Sequence, residues 1–262
     1  MSIRSITSLG SLKNKRVLVR LDLNVPIKKN KVIDNARLKA VLPTLQLLRK
    51  KGAKIVVMAH LGRPAGKVVP ELKLDPIVKE LGRLLKIKIA KLDTKNWALK
   101  ANEWTKIKTS IDALKPGGVI MTDNIRFAPG EDGNDLAFAK KLAELGELFV
   151  FDGFAVAHRA AASVVGVAKY LPAYGGLLMA KEIKALDAVV SAPKHPLVAI
   201  IGGAKMETRL PVMKQLTKTA DAVIVGGGIV TTMLAALGYG IGESLVDTNF
   251  VSEAKKLARQ PN

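Results

Sequence analysis

RVLVRLDLNV (16–25) is the segment from which the fold can be predicted, since it is short, rich in Val and Leu, and ends in polar residues. A strand buried on both faces of a parallel sheet has this nearly continuous apolar character. Four similar segments follow: KIVVMAH (54–60), KIKIA (86–90), GVIMTDN (118–124) and ELFVFDGF (147–154). Stretches with helical spacing lie between them, so we predict right-handed βαβ crossovers and a doubly wound sheet.

A second set of apolar segments follows PKHP (193–196), namely PLVAIIGG (196–203) and DAVIVGGG (221–228). Residues 174–190 between the two sets have the pattern of one amphipathic helix. At 262 residues the chain exceeds the usual domain size of roughly 100 to 150 residues. We therefore predict an α/β fold of two Rossmann-like parallel-sheet domains, 1–170 and 193–262, joined by a hinge helix at 171–192, with the second domain incomplete.

Composition limits the chemistry that the chain can carry out. It contains no cysteine, which excludes disulfides, thiolate metal sites and a cysteine nucleophile. It shows no apolar leader and no run of roughly 18 apolar residues, so we expect a cytoplasmic protein without a membrane anchor. The net charge of +20 favours anionic partners. Small phosphorylated substrates, nucleic acid and a merely solvated basic surface all fit, although the basic residues are not interleaved with aromatic ones as a nucleic-acid surface would require.

Polar residues follow the predicted strands of the first set. In open parallel sheets, ligands bind beyond the carboxyl ends of the strands. The residues at these exits, with Arg37 at the start of the first helix, are Asp22, Asn24, His60, Arg63, Asn124, Arg126, Asp152, His158 and Arg159. Each alone is explained by a turn or a surface charge. Together at one sheet edge they would form an anion cradle, because guanidinium groups bind phosphate and carboxylate oxygens in bidentate fashion.

The second set of segments carries a different pattern. GGAK (202–205) places Lys205 just after a strand, and we predict that it lies at the start of a helix, where phosphate is favoured. The same four residues also fit an ordinary tight turn. No GxxxxGKS or GxxxxGKT motif is present, which disfavours a P-loop kinase, and GYGIG (238–242) is not a dinucleotide fingerprint.

Seven motifs in order resemble the signatures of the phosphoglycerate kinase family. They are RLDLNVP (20–26), AHLGRP (59–64), DNIRF (123–127), FDGFAVAHRAAAS (151–163), GGLLMAKEI (175–183), GGAK (202–205) and IVGGG (224–228). No single motif is decisive, but their order and spacing extend the resemblance over essentially the whole chain.

The resemblance implies reversible transfer of an acyl phosphate from 1,3-bisphosphoglycerate to ADP, giving 3-phosphoglycerate and ATP in glycolysis, with Mg²⁺ bound to the nucleotide. It implies that Asp22 and Asn24 hold the glycerate part. The phosphate that is not transferred would be gripped by His60, Arg63, Arg126 and Arg159. Arg37 and Lys205 would be catalytic, with Arg37 facing the phosphoryl group in transfer. Lys205, Arg209, Gly226, Gly227 and Gly228 would bind the nucleotide, the glycines forming the floor of an adenine pocket.

Some positions depart from the family pattern. Arg209 stands where lysine is usual, Ala59 where serine is usual, and Phe151, Gly153 and Ala155 alter a stretch usually written NDAFG. The family's chain also continues beyond the last residue here, with an acidic residue for the magnesium-nucleotide, so no metal ligand is assigned. Three alternatives follow: a monomeric enzyme, or one completed by a second chain; a 3-phosphoglycerate-binding protein without catalysis; and a basic accessory protein that binds nucleic acid.

Overall fold

The computed structural model describes residues 3–94, 97–191 and 193–260. Residue 192, at the end of the predicted hinge, and residues 261–262, at the end of the predicted second domain, lie outside the described residues. The chain divides into two compact units, Met1–Lys184 and Ala185–Asn262, and the division falls inside the predicted hinge segment. Among the described residues, no helix has the length and apolar character needed to cross a membrane.

The first unit is built on a six-stranded sheet in which every neighbouring pair is parallel. The strands of this unit are β1 (Arg16–Leu21), β2 (Ile27–Lys28), β3 (Lys31–Val32), β4 (Lys54–Met58), β5 (Ala90–Lys91), β6 (Val119–Met121), β7 (Leu148–Asp152) and β8 (Ala173–Gly175). The sheet order is β5-β6-β4-β1-β7-β8, and β2 pairs with β3 in a separate antiparallel hairpin. The α/β class and the parallel sheet are therefore confirmed.

Helices cover the sheet and bury its strands. They are α1 (Ala36–Lys50), α2 (Asp75–Leu85), α3 (Ala101–Asp112) and α4 (Leu136–Ala143). Alternate residues of β1 enter different hydrophobic clusters: Val17 and Val19 pack with Leu45 of α1, whereas Leu18 packs with Trp104 of α3. Both faces of the sheet are therefore buried, which explains why the strand segments are almost continuously apolar.

The predicted strand at residues 86–90 is wrong for all but its last residue. Helix α2 continues to Leu85, and Lys86 ends it in the left-handed conformation, with φ of 55°. Gly82, in the last turn, lies so close to the returning chain that a Cβ there would sit 2.9 Å from the carbonyl oxygen of Ile87. The apolar residues that follow the helix therefore pack beneath it, and the strand begins only at Ala90.

The predicted helix at 174–190 is wrong at its start. Residues 173–175 form β8, where Tyr174 pairs with Val150 at the edge of the sheet, and helix α5 extends over Leu177–Ser191. The carboxylate of Asp152 accepts a hydrogen bond from the N–H of Met179 at 2.8 Å, so it caps the first turn of α5. A Cβ at Gly176 would lie 2.2 Å from the Asp152 carboxyl carbon, which requires glycine before this helix.

The second unit contains β9 (Val198–Gly202), α6 (Leu210–Thr219), β10 (Ala222–Gly226), α7 (Gly228–Ala236) and α8 (Val251–Ala258). In the described part of this unit the sheet has two parallel strands, β9 and β10. One face packs against the helices through Ile201, Val223 and Val225. On the opposite face Val198, Ile200 and Ile224 are exposed. The strands are parallel as predicted, but only one of their faces is buried.

Candidate functional site

His60 marks the point at which several predicted site residues meet. It follows β4 by two residues and is 4% exposed. Burial lowers the pKa of His60 to about 2, and the positive charges of Arg20, Arg126, Arg159 and Arg37 add to this effect. Four guanidinium groups therefore act on one imidazole. Three of them, Arg37, Arg126 and Arg159, belong to the predicted anion cradle.

Asp22 occupies the loop directly after β1 and is also buried. Its Oδ2 accepts a short hydrogen bond from Nη1 of Arg37, and its Oδ1 accepts from the N–H of Asn24 at 3.2 Å. Oδ1 also lies 4.0 Å from Nδ1 of His60. The side chain of Asn24 in turn accepts from the N–H of Gly62 at 3.1 Å. The loops after β1 and β4 are thus bonded to each other as well as brought to the same sheet edge.

Asn124, fully buried after β6, fixes the loop after β4 through both ends of its amide. Its Nδ2 donates to the carbonyl of Leu61 at 2.8 Å and to that of Leu72 at 3.0 Å. Its Oδ1 accepts from the N–H of Leu61 at 3.3 Å and of Arg126 at 3.1 Å. Arg126 then donates from Nη1 to the carbonyl of Gly62 at 2.9 Å. The sequence pattern places Asn124 among the strand-exit residues of the predicted anion cradle but does not predict that it holds the loop after β4.

Arg63 and Arg159 are less tightly held. Arg63 follows Gly62 and is exposed, while Arg159 is half-buried and His158 next to it is exposed.

A cavity of about 300 Å³ opens beside Asp22 and Arg37 within the first unit. Its lining consists of Asp22, Arg37, Ala40, Gly153, Phe154, Ala155, Leu178 and Glu182. The ion pair between Asp22 and Arg37 therefore forms part of the wall of this cavity.

Arg20 is a site residue that sequence reasoning missed. It lies on β1 and is 2% exposed, although arginine is rarely buried without partners. Its Nε donates to Oγ of Ser163 at 2.8 Å, one Nη bonds the carbonyl of Leu21, and Nη2 lies 3.3 Å from Nδ1 of His60. Ser163 in turn donates from Oγ to Oε1 of Glu131 at 2.5 Å and from its N–H to Oε2 at 2.9 Å. The sequence did contain one indication of this role, namely a charged residue inside an otherwise apolar strand.

Lys205 does not lie at a helix start, so that prediction is wrong. It follows β9 in a loop, and α6 begins only at Leu210, because a turn over residues 207–209 intervenes. Arg209 occupies the position just before the helix, and both basic side chains are exposed. The fixed phosphate site expected from a helix N-terminus at Lys205 is therefore replaced by two exposed cations on one loop.

The glycines at the ends of β9 and β10 and directly after β10 differ in whether a side chain would fit there. Gly226 pairs with Gly202 in the sheet register, and a Cβ added at either would meet nothing within 4 Å. A Cβ at Gly228, in contrast, would lie 2.6 Å from the carbonyl oxygen of Ala204, and Gly227 has φ of +64°. Gly227 and Gly228 are thus required by the fold, whereas Gly226 leaves open space beside the backbone.

Comparison with known proteins identifies relatives along the whole chain. The family model for phosphoglycerate kinase matches residues 6–262. The phosphoglycerate kinase of Moorella thermoacetica is 45% identical over 246 residues, covering 94% of this chain and 61% of the relative. That of Borreliella afzelii is 41% identical over 260 residues, covering 99% of this chain and 64% of the relative.

Solved structures similar to this chain belong to the same family as the sequence relatives. Phosphoglycerate kinase from Coxiella burnetii superimposes with a TM-score of 0.82 at 38% identity, covering 98% of this chain and 62% of that one. The Pyrococcus horikoshii enzyme gives a TM-score of 0.81 at 30% identity, covering 97% and 64% respectively. The chain thus spans somewhat less than two thirds of the length of these relatives.

Proposed function

The chain belongs to the phosphoglycerate kinase family, and from that premise we propose that it binds 3-phosphoglycerate and transfers a phosphoryl group between 1,3-bisphosphoglycerate and ADP. The observation that carries the proposal is the group of three predicted arginines, Arg37, Arg126 and Arg159, acting on the buried His60 at one sheet edge. Strands distant in sequence end there, as ligand sites of open parallel sheets do.

The first unit supplies the binding of the acid phosphate. In this proposal Arg126 and Arg159, with Arg63 and His60, hold the phosphate that stays on the substrate, because fixed cations bind phosphate oxygens through charge-assisted hydrogen bonds. Asp22 and Asn24 receive the glycerate part. No general base is required, since the acceptor oxygen of ADP is already an anion, and positioning with charge stabilisation supplies most of the catalysis.

Arg37 is proposed to contact the phosphoryl group in addition to Asp22. Its guanidinium is bonded to the carboxylate of Asp22, while about half of its side chain remains exposed. In the proposed reaction Arg37 faces the equatorial oxygens of the phosphoryl group, where negative charge is spread in the transition state. The ion pair with Asp22 then serves to orient the guanidinium rather than to neutralise it.

The second unit is proposed to bind ADP and ATP. The open space beside Gly226 suits a flat ring lying against the backbone, and the exposed side chains of Lys205 and Arg209 suit a phosphate chain. Among the described residues no group of three His, Cys, Asp or Glu side chains could hold a metal ion. Mg²⁺ is therefore proposed to arrive on the nucleotide phosphates, whose charge it neutralises. In this proposal the units are two Rossmann-like domains, the second of them incomplete, and α5 is the hinge helix.

Isothermal titration calorimetry with 3-phosphoglycerate tests the binding half of the proposal. We expect Arg126→Ala and Arg63→Ala each to weaken binding at least tenfold. Arg83→Ala, which removes one positive charge from an exposed ion pair on α2, should leave the affinity within twofold. Equal affinity in all four proteins would contradict the proposed cradle.

A coupled assay with ATP and 3-phosphoglycerate tests the catalytic half. Magnesium-dependent turnover should be reduced steeply by Lys205→Ala and much less by Lys214→Ala, a lysine on α6 of the same unit. If the folded protein binds 3-phosphoglycerate but gives no turnover, the catalytic half of the proposal is wrong and only the binding half stands. Turnover that is unaffected by Lys205→Ala would remove the proposed role of that residue.

A further inference from the structure

The nitrogen Nδ1 of His60 is in contact with a group that can only donate. Nη2 of Arg20 lies 3.3 Å from Nδ1, and a guanidinium has no hydrogen-bond acceptor. Oδ1 of Asp22, which could accept a proton from Nδ1, is farther away at 4.0 Å and is beyond hydrogen-bond distance. Nδ1 must therefore accept the hydrogen bond, and the ring proton must be on Nε2.

Arg20 is held in place by a buried chain of contacts on its other side. Its Nε donates to Oγ of Ser163, and both Oγ and the N–H of Ser163 donate to Glu131. Glu131 and Ser163 are almost completely buried. Burial lowers the pKa of Arg20 and raises the pKa of Glu131, and in each case the charge of the other residue opposes the effect. Each charge therefore depends on the other, because a buried charge without its partner is strongly unfavourable.

We infer that Glu131 and Ser163 act as positioning residues that hold Arg20 against Nδ1 of His60 and thereby fix His60 as a neutral imidazole with its proton on Nε2. The groups that face the imidazole favour the neutral ring. The positive charges of Arg20, Arg37, Arg126 and Arg159 disfavour a charged imidazole, and the carboxylate of Asp22 is already bonded to Arg37. A neutral ring with a fixed tautomer presents a hydrogen-bond donor at Nε2 from pH 8 to pH 5. Its use toward a substrate phosphate rests on the proposed function.

Nuclear magnetic resonance of protein labelled with 15N at histidine tests the inference without any ligand. The chain has three histidines, His60, His158 and His195, so His60 is assigned by comparison with His60→Gln. We expect the wild-type His60 ring to show an unprotonated Nδ1 and a protonated Nε2, unchanged from pH 8 to pH 5. A ring with its proton on Nδ1, or a ring that titrates in this range, would overturn the inference.

Two variants test the anchor. Ser163→Ala removes the bridge to Arg20, and Glu131→Gln keeps a hydrogen-bond acceptor but removes the charge. We expect each to convert the His60 signal to a mixture of tautomers or to a ring that titrates above pH 5. Thr122→Val is the matched control, since it removes a fully buried hydroxyl that donates to the carbonyl of Asp123 rather than to the chain between Arg20 and Glu131. The His60 spectrum of Thr122→Val should match that of the wild type. Ser163→Thr retains the hydroxyl, so it should also show the wild-type His60 spectrum.

The outcomes separate this inference from the proposed function. A folded Ser163→Ala or Glu131→Gln protein with the wild-type His60 spectrum would overturn the role of the anchor. If both variants fail to fold, Arg20→Lys decides, because an ammonium group without the planar fork should lose the contact with Nδ1. Added 3-phosphoglycerate should shift the Nε2 proton of the wild type. If His60 has the expected tautomer but its Nε2 proton does not shift, the proposed substrate is contradicted, whereas the positioning role of Glu131 and Ser163 is not.

Discussion

The candidate sites of the two units are built in different ways. In the first unit His60 and Asn124 are buried, and hydrogen bonds tie Asn124 to the loops on which the cradle is mounted. In the second unit the proposed contacts are the exposed side chains of Lys205 and Arg209 and the open backbone at Gly226. The first site is therefore part of the core of its unit, while the second lies on the surface of its own.

This difference predicts how the two sites respond to mutation. Where a site residue is also a core residue, its removal costs stability and binding together, because buried donors and acceptors lose their partners. Where a site residue is exposed, binding can be changed with little effect on folding.

Asn124→Ala should have the largest effect on stability. It leaves the backbone groups of Leu61 and Leu72 without their amide partner in a buried loop, so the free energy of unfolding should fall by about 3 kcal/mol or more. Urea denaturation measures this change. The exposed Asn102→Ala on α3 is the control and should stay within about 0.5 kcal/mol of the wild type. A similar small change for Asn124→Ala would mean that the loop is not held by this amide.

His60 should make the protein less stable as the pH falls. Its pKa in the folded protein is about 2, below the ordinary value of 6.5, so between these values the unfolded chain binds a proton that the folded chain does not. The His60 contribution to the free energy of unfolding should therefore fall by about 2 kcal/mol between pH 7 and pH 5.

The measurement is urea denaturation at pH 7 and pH 5 of the wild type and two variants. His60→Gln should lose less stability on acidification than the wild type does, by the amount given above. His158→Gln removes an exposed histidine and should keep the wild-type pH dependence. If His60→Gln and the wild type respond identically to pH, the imidazole is not held neutral by its surroundings.

Gly226 and Gly228 of the second unit should respond differently to replacement by alanine. Gly228→Ala places a methyl group against the carbonyl of Ala204 and should destabilise the protein by about 1–3 kcal/mol. Gly226→Ala adds a methyl group to open space and should change stability by less than about 0.5 kcal/mol. Gly226→Ala should nevertheless weaken ATP binding, as measured by calorimetry. Unchanged ATP affinity would show that no ring lies against Gly226.

The fold was predictable where hydrophobic pattern alone determined it. The two apolar runs that become β1 and β4 predict a parallel sheet, and the polar residues that follow these two strands include Asp22 and His60. The pattern failed for β8, because Tyr174 lies in a short edge strand that pairs with β7 directly before α5, and the amphipathic spacing of that helix extends back over it. It also failed for Arg20. The charge within an apolar strand marked this residue as unusual, but its partners Ser163 and Glu131 lie far away in the sequence and could not be predicted from the pattern.

The smallest effect is expected on the open face of the second sheet. Ile200 is 78% exposed, whereas its neighbour Ile201 is 8% exposed and packs against the helices. Threonine keeps the branched shape that a strand favours, so Ile200→Thr should change the free energy of unfolding by less than about 0.5 kcal/mol. Ile201→Thr buries a hydroxyl in the core and should cost about 1–3 kcal/mol. Equal losses for the two variants in urea denaturation would mean that the open face is covered in solution, and the contrast between a buried first site and an exposed second one would then need revision.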